Sequence, residues 1–281
     1  MLRKGFALAA LGLALISGSA VAATHPEEPA KIDFSFAGPF GKYDAAQLQR
    51  GYKVYREVCA ACHAMHLLSF RNLGDKGGPF YDPRYPNSND NPVVKALAAD
   101  IQVNDIDSET GDVIQRPASS ADRFPSPFPN EAAARASNGG ALPPDLSVIA
   151  KAREGGPAYI ASIVSGYPNP PAALEVPAGK YYNPYMAGDL AAFWKGDHHN
   201  VPKGGFIAMP PPLADGKVTF DDGTPSTVKN QATDVAAFLM WAAEPKMEDR
   251  KQFGFGAMIY LIIFAGLLYA SYRRIWRNVA H

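Results

Sequence analysis

Apolar positions along this chain change their period several times. Leu48, Tyr52, Tyr55 and Cys59 recur on one helical face, and Asp44 stands where a cap would accept the first free amide. A helix is therefore predicted to begin near residue 44 and to deliver the cysteines that follow. Gly, Pro, Asn and Asp crowd 77–92, while Pro and Ser crowd 117–129, so both stretches are predicted as loops. Short helices are expected at 131–137 and 146–154, and a further loop rich in Pro and Gly runs through 167–211. The next helix starts near Ser226, carries Val228, Val235, Phe238, Leu239 and Trp241, and is stopped by Pro245. Neither an internal repeat nor a βαβ alternation is present.

Two longer apolar runs have other meanings. At the N-terminus, Arg3 and Lys4 precede an apolar stretch over 6–16 and a small-residue site at Ala20, Val21 and Ala22. This reads as a signal peptide over 1–22, too short to span a bilayer. Near the other end, 252–272 contains no charge and as a helix would extend ~31 Å, close to the hydrocarbon thickness. Arg273, Arg274 and Arg277 follow it, whereas Glu248, Asp249, Arg250 and Lys251 before it cancel. The excess of basic residues after the span places 273–281 in the cytoplasm and 23–251 outside, in the periplasm of a bacterial inner membrane.

Composition changes the picture in two ways. The chain has 281 residues, 47% of them hydrophobic, enough for a sizeable core, yet it carries 25 Gly and 25 Pro. That abundance suggests ordered loops arranged around a large cofactor. The formal net charge of zero hides an asymmetry. With Arg3, Lys4, Arg273, Arg274 and Arg277 set aside, 22 basic residues face 27 acidic ones in the exported part. Nucleic acid is therefore an unsuitable ligand. The run Asp100, Asp105, Asp107, Glu109 and Asp112 contains no Lys or Arg, and reads either as a solvated loop or as a field that steers a basic partner.

The chemistry is concentrated in Cys59-Ala60-Ala61-Cys62-His63, which uses both cysteines of the chain. Two thiols at this spacing can add to the two vinyl groups of one haem, and the adjacent imidazole can reach the iron. A redox-active thiol pair would instead open a helix after a strand. A structural zinc site would need more ligands than His66 supplies. For the opposite face of the iron, Met186 and Met209 remain once methionines in the signal, the span, its boundary, the last exported helix and the motif itself are set aside. The three prolines after Met209 stiffen its loop and favour it, with His198 or His199 as rivals. A thioether–imidazole pair suits an electron carrier closed to oxygen and substrates, with no bond chemistry of its own.

Several runs taken together resemble a known family. These are the thirteen residues ending in His63, the stretch Gly140-Ala141-Leu142-Pro143-Pro144-Asp145-Leu146-Ser147, the Met209 loop, Asp221-Asp222-Gly223-Thr224-Pro225, and 238–245 leading into the span. In this order they are similar to cytochrome c1 of the cytochrome bc1 complex. The resemblance implies a mainly α, class I cytochrome c-like haem domain with long loops and one C-terminal transmembrane helix. It implies that Gly51 lets the first and last helices of the domain cross closely. It also implies one haem c bonded to Cys59 and Cys62, with His63 and Met209 as axial ligands. Arg153 and Tyr159 would contact its propionates, and Asn138 and Pro144 would line the pocket, the Pro144 carbonyl facing the far ring nitrogen of His63. The expected partners are cytochrome b, a Rieske iron–sulfur protein, a soluble cytochrome c and membrane lipid. The expected role is single-electron relay from the Rieske protein to the soluble cytochrome. A stand-alone tethered shuttle is the alternative, and a periplasmic thiol–disulfide oxidoreductase a remote third.

Overall fold

The computed structural model describes residues 25–278, so the predicted signal peptide lies outside the described residues. The architecture is mainly helical. The first helix, α1, covers Ala45–Val54, and the Asp44 carboxylate accepts the Gln47 amide at 2.8 Å, as its position in the sequence predicts. Its buried side is Leu48, Gly51, Tyr52 and Val54. It continues into one wide π turn, Tyr55–Cys59.

Short elements follow. The helix α2 covers Pro92–Ala99, the strands β1 and β2 cover Gln102–Ile106 and Val113–Pro117, and α3 covers Glu131–Ser137. Next come α4 at Gly156–Ser165, β3 at Tyr181–Asn183, and β4 at Gly205–Ile207. The long helices close the chain: α5 is Val228–Ala243 and α6 is Met247–Trp276.

The core forms where α1 crosses α5. A Cβ on Gly51 would stand 2.1 Å from the Asp234 carbonyl oxygen and 2.7 Å from the Phe238 Cβ, so only glycine allows the approach. The crossing is fastened by polar groups. The buried Asp234 carboxylate accepts from Arg50 Nε at 2.7 Å and from Gln47 Nε2 at 3.1 Å, and Arg50 Nη1 continues to Asp222 at 2.6 Å. Burial raises the pKa of Asp234, and the Arg50 guanidinium opposes that rise. Below the crossing, Tyr52 and Tyr55 lie 5.7 and 5.8 Å from the Phe238 ring, and Phe238 stacks on Trp241 at 5.6 Å. The helix α4 packs on α5, and its buried Ile160 and Ala161 belong to the same apolar core as the buried face of α5.

Three expectations need correction. Residues 146–154 form successive turns and not a helix. Asp145 accepts the Ser147 amide at 2.8 Å, which holds the backbone in a turn, and Gly155 at φ +81° interrupts any continuation before Pro157 helps start α4. The acidic stretch near residue 105 is an antiparallel hairpin, with Gln102 opposite Pro117 and Ile106 opposite Val113. Its charges are also less free than the run suggests. Arg116 on β2 pairs with Asp105 and grips Asp122 through two nitrogens at 2.7 and 3.0 Å, while Asp100 pairs with Arg56 at 2.9 Å. Finally, the loop 167–211 is pinned by a ladder between β3 and β4, Tyr181 facing Ile207 and Asn183 facing Gly205.

Pro245 does end α5, and α6 restarts two residues later, before the predicted 252–272 and running beyond it. The apolar part of α6 has a mean hydropathy of 2.0 and no protein around it, so α6 is long and apolar enough to cross a membrane. Its first turns are latched to the domain. Met247 is buried, and the Glu244 carboxylate is paired with Arg250 and, at 3.4 Å, with Lys151. The Tyr43 hydroxyl lies 3.2 Å from the Glu244 carbonyl, and the Tyr43 amide donates to Glu248 at 3.0 Å.

Candidate haem site

The π turn places the two thiols. The Ala60 amide reaches back to the Tyr55 carbonyl at 2.8 Å, and the amides of Cys62 and His63 then both point to the Cys59 carbonyl at 3.1 and 2.9 Å. A π turn inside a helical run commonly marks a site of function. Here it ends α1 so that Cys59, Cys62 and His63 occupy one tight bend. Both cysteines are free, Cys62 exposed and Cys59 partly covered. Burial pushes the Cys59 thiol up to about 12, with the Lys217 ammonium pulling the other way. Such a group is a protonated thiol near neutral pH, the reverse of the lowered pKa that a disulfide-exchanging nucleophile needs. His66, the candidate zinc ligand, has its Nδ1 2.7 Å from the Asp145 carboxylate.

The imidazole of His63 is set by the stretch at 144–147. Its Nδ1 lies 2.8 Å from the Pro144 carbonyl oxygen. A carbonyl can only accept, so Nδ1 carries the proton and Nε2 keeps its lone pair. Burial lowers the pKa of this ring, which favours the neutral, ligating form. The strap that presents Pro144 is zipped to the motif residue by residue. Leu146 donates to the Ala64 carbonyl at 2.9 Å, His66 donates to the Asp145 carboxylate at 2.9 Å, and Leu67 donates to Ser147 Oγ at 3.0 Å. Asp145 and Ser147 were visible in the sequence run, but nothing local marked them as the residues that hold the strap.

The other expected residues vary in how firmly they are placed. Met209 follows β4 and is half-buried, and its carbonyl accepts from the Tyr167 hydroxyl at 3.1 Å. Past the prolines, Lys217 Nζ donates to the Pro212 carbonyl at 2.6 Å. The same ammonium is the cation that opposes the rise of the Cys59 thiol pKa. Met186 is also half-buried, with its amide 3.2 Å from the Asn183 carbonyl. His198 and His199 are exposed in a turn around Asp197, whose carboxylate accepts the His199 amide at 3.0 Å.

Asn138 is half-buried and caps α3 by donating Nδ2 to the Ala134 carbonyl at 2.7 Å. Arg153 is exposed, with Nη1 3.1 Å from the Ala152 carbonyl, and its charge lowers the pKa of Tyr159 against the larger effect of burial. Sequence reasoning did not single out Tyr167 or Lys217. Both act through backbone carbonyls of the Met209 loop, a role that leaves no pattern in the chain.

The donor set fits a covalent haem. Two unpaired thiols share a bend with an imidazole whose tautomer is fixed, and a thioether is carried on a loop stiffened by prolines and tethered at both ends.

Known proteins agree with this chemistry. The chain is 42% identical to cytochrome c1 of Blastochloris viridis, over 95% of each protein. It is 42% identical to a mitochondrial protein of Solanum tuberosum named cytochrome c1-2, heme protein, over 94% of this chain and 91% of the relative. It is 41% identical to a Bradyrhizobium diazoefficiens protein named cytochrome b/c1, over 98% of this chain but only 41% of that longer protein. The description Cytochrome C1 family matches residues 34–279. With its thiol pair, oriented histidine and apolar C-terminal helix in the expected order, the chain belongs to the cytochrome c1 family, whose members carry covalent haem c and serve in electron transport.

Proposed function

We propose that this chain is the haem-bearing, membrane-anchored subunit of a quinol-oxidising bc1 complex, relaying single electrons from a Rieske iron–sulfur protein to a soluble cytochrome c. The observation that carries the reading is the Cys59–His63 bend with its imidazole aimed by the Pro144 carbonyl. Bound haem supplies one-electron redox chemistry at a potential raised by a thioether–imidazole ligand pair. The residues of the chain do the rest. Cys59 and Cys62 hold the group covalently, His63 offers Nε2, Met209 offers its sulfur, and Arg153 and Tyr159 offer a cation and a hydroxyl to the propionates. Asn138 and Pro144 line the pocket. The name cytochrome b/c1, borne by a relative more than twice as long as the aligned part, supports cytochrome b as a partner over a stand-alone shuttle. The three arginines after α6 support a cytoplasmic tail with the haem domain in the periplasm.

The ligand assignment is tested by Met209→Leu. The variant is expected to keep covalent haem, lose the near-infrared charge-transfer band of a methionine–ferric pair, and titrate at a markedly lower potential, since a soft thioether favours ferrous iron. Loss of that band in Met186→Leu but not in Met209→Leu would reassign the ligand.

Docking of a basic cytochrome is tested at the hairpin tip. Asp105 and Asp100 are already paired, which leaves Asp107, Glu109 and Asp112 as the charges able to steer. Replacing these three with their amides should slow association at low salt and flatten its dependence on ionic strength, with the haem potential unchanged. Stopped-flow reduction of the acceptor across a salt series reads this out. A variant as fast as the parent at low salt would move the docking surface elsewhere.

A further inference from the structure

The segment just before α1 makes a tight tip beside the start of α6. Its stem is closed by the Ala37 amide on the Phe34 carbonyl at 2.9 Å and the Lys42 amide on the Ser35 carbonyl at 3.1 Å. Within it, Gly38 adopts φ +69°, and a Cβ on Gly41 would stand 2.1 Å from the Ala37 carbonyl oxygen. The aromatic side chains of this segment part ways. Phe34 and Phe36 are buried and stacked at 4.9 Å, whereas Phe40 is 72% exposed.

The tip is held by α6. Lys251 Nζ donates to the Phe36 carbonyl at 2.7 Å and to the Gly41 carbonyl at 3.0 Å. One turn further along the helix, the Phe255 ring meets the Phe40 ring edge-on at 5.6 Å. Phe255 is itself 55% exposed and belongs to the uncharged run. The tip is therefore registered against α6 at the level where the helix passes from charged residues to apolar ones. A phenylalanine so exposed, whose ring neighbour is another exposed phenylalanine, is poorly served by water. Aromatic rings at that depth are well served by the boundary between headgroups and acyl chains.

We propose that the loop 36–41 is a second membrane contact of this protein, seating Phe40 with Phe255 in the headgroup–acyl boundary of a phospholipid bilayer. This rests on α6 spanning the membrane. The loop then fixes the depth at which the helix leaves the bilayer, a task that an apolar helix without interfacial anchors does poorly.

Nitroxide accessibility tests it on the full-length, haem-loaded protein in phosphatidylcholine vesicles. With Cys59 and Cys62 held in thioethers, a single added cysteine is labelled alone. Three variants are compared: Phe40→Cys, Ile262→Cys in the middle of α6, and Val113→Cys at the hairpin, all replacing well-exposed residues. The ratio of oxygen to nickel-chelate collision at position 40 should be several-fold above that at 113 and below that at 262. A label at 40 that matches 113 while 262 remains oxygen-accessible would overturn the proposal and leave the span intact. A label at 262 that is open to the nickel chelate would overturn the span itself. A label at 40 shielded from both agents in native membranes would put a protein there, and would also overturn it.

Discussion

Serine in place of both Cys59 and Cys62 should leave a chain that carries no haem through denaturing electrophoresis. A hydroxyl does not add to a vinyl group as a thiol does, so each replacement removes one covalent bond, and together they remove all of it. The single variants should each retain at most one thioether, with a displaced absorption maximum of the reduced protein. The two positions are not equivalent. Cys59 is partly covered, whereas Cys62 is exposed. Haem staining that persists in the double variant would refute covalent attachment at this motif.

The second large effect is expected far from the motif, at Gly51. In an ordinary helix interior, replacing glycine with alanine stabilises by about 1 kcal/mol. Here the added methyl would meet the Asp234 carbonyl oxygen at 2.1 Å, so α1 and α5 must separate. Overpacking of this kind costs ~1–3 kcal/mol even where side chains can yield, and a backbone carbonyl yields less. Gly51→Ala should therefore melt well below the parent, and Gly51→Val should fail to accumulate as folded protein. Separation would also loosen Arg50 from Asp234 and shift the aromatic cluster on which the Cys59 bend rests. A melting temperature for Gly51→Ala equal to the parent's would show that the crossing has slack.

What could be seen in the sequence was what rests on local chemistry. Asp44 marks the start of α1 because its carboxylate caps an amide three residues on, and Pro245 marks a break because it cannot continue a helix. The thiol spacing, the adjacent histidine and the uncharged run at 252–272 are equally local. The partnership of His63 with Pro144 was foreseen only through family likeness, since 81 positions separate them. Residues 146–154 misled because a short amphipathic stretch looks helical until Asp145 and Gly155 are seen to hold it in turns. The hairpin was missed for a related reason. Both of its strands are largely solvent-facing, and the half-buried positions of β1 are Val103 and Asp105, one apolar and one acidic, so no alternation of apolar residues announces the strand, and the cation that neutralises Asp105 sits across the ladder on the other strand. In 167–211 the paired strands are three residues each, set among prolines and glycines, and no periodicity emerges over so few positions.

On the proposed function, the latch between α5 and α6 sets how a visitor finds this protein. Glu244, held by Arg250 and Lys151, and Tyr43, bonded across the break, join the helical domain to α6 without a slack linker. A domain hung on a flexible leash would tumble above the lipid and offer its faces in every direction. With α6 in a bilayer, as proposed, the latch would hold this one at a constant tilt and height, like a fitting bolted to a floor. A diffusing partner needs to match one orientation, and each arrival repeats the last.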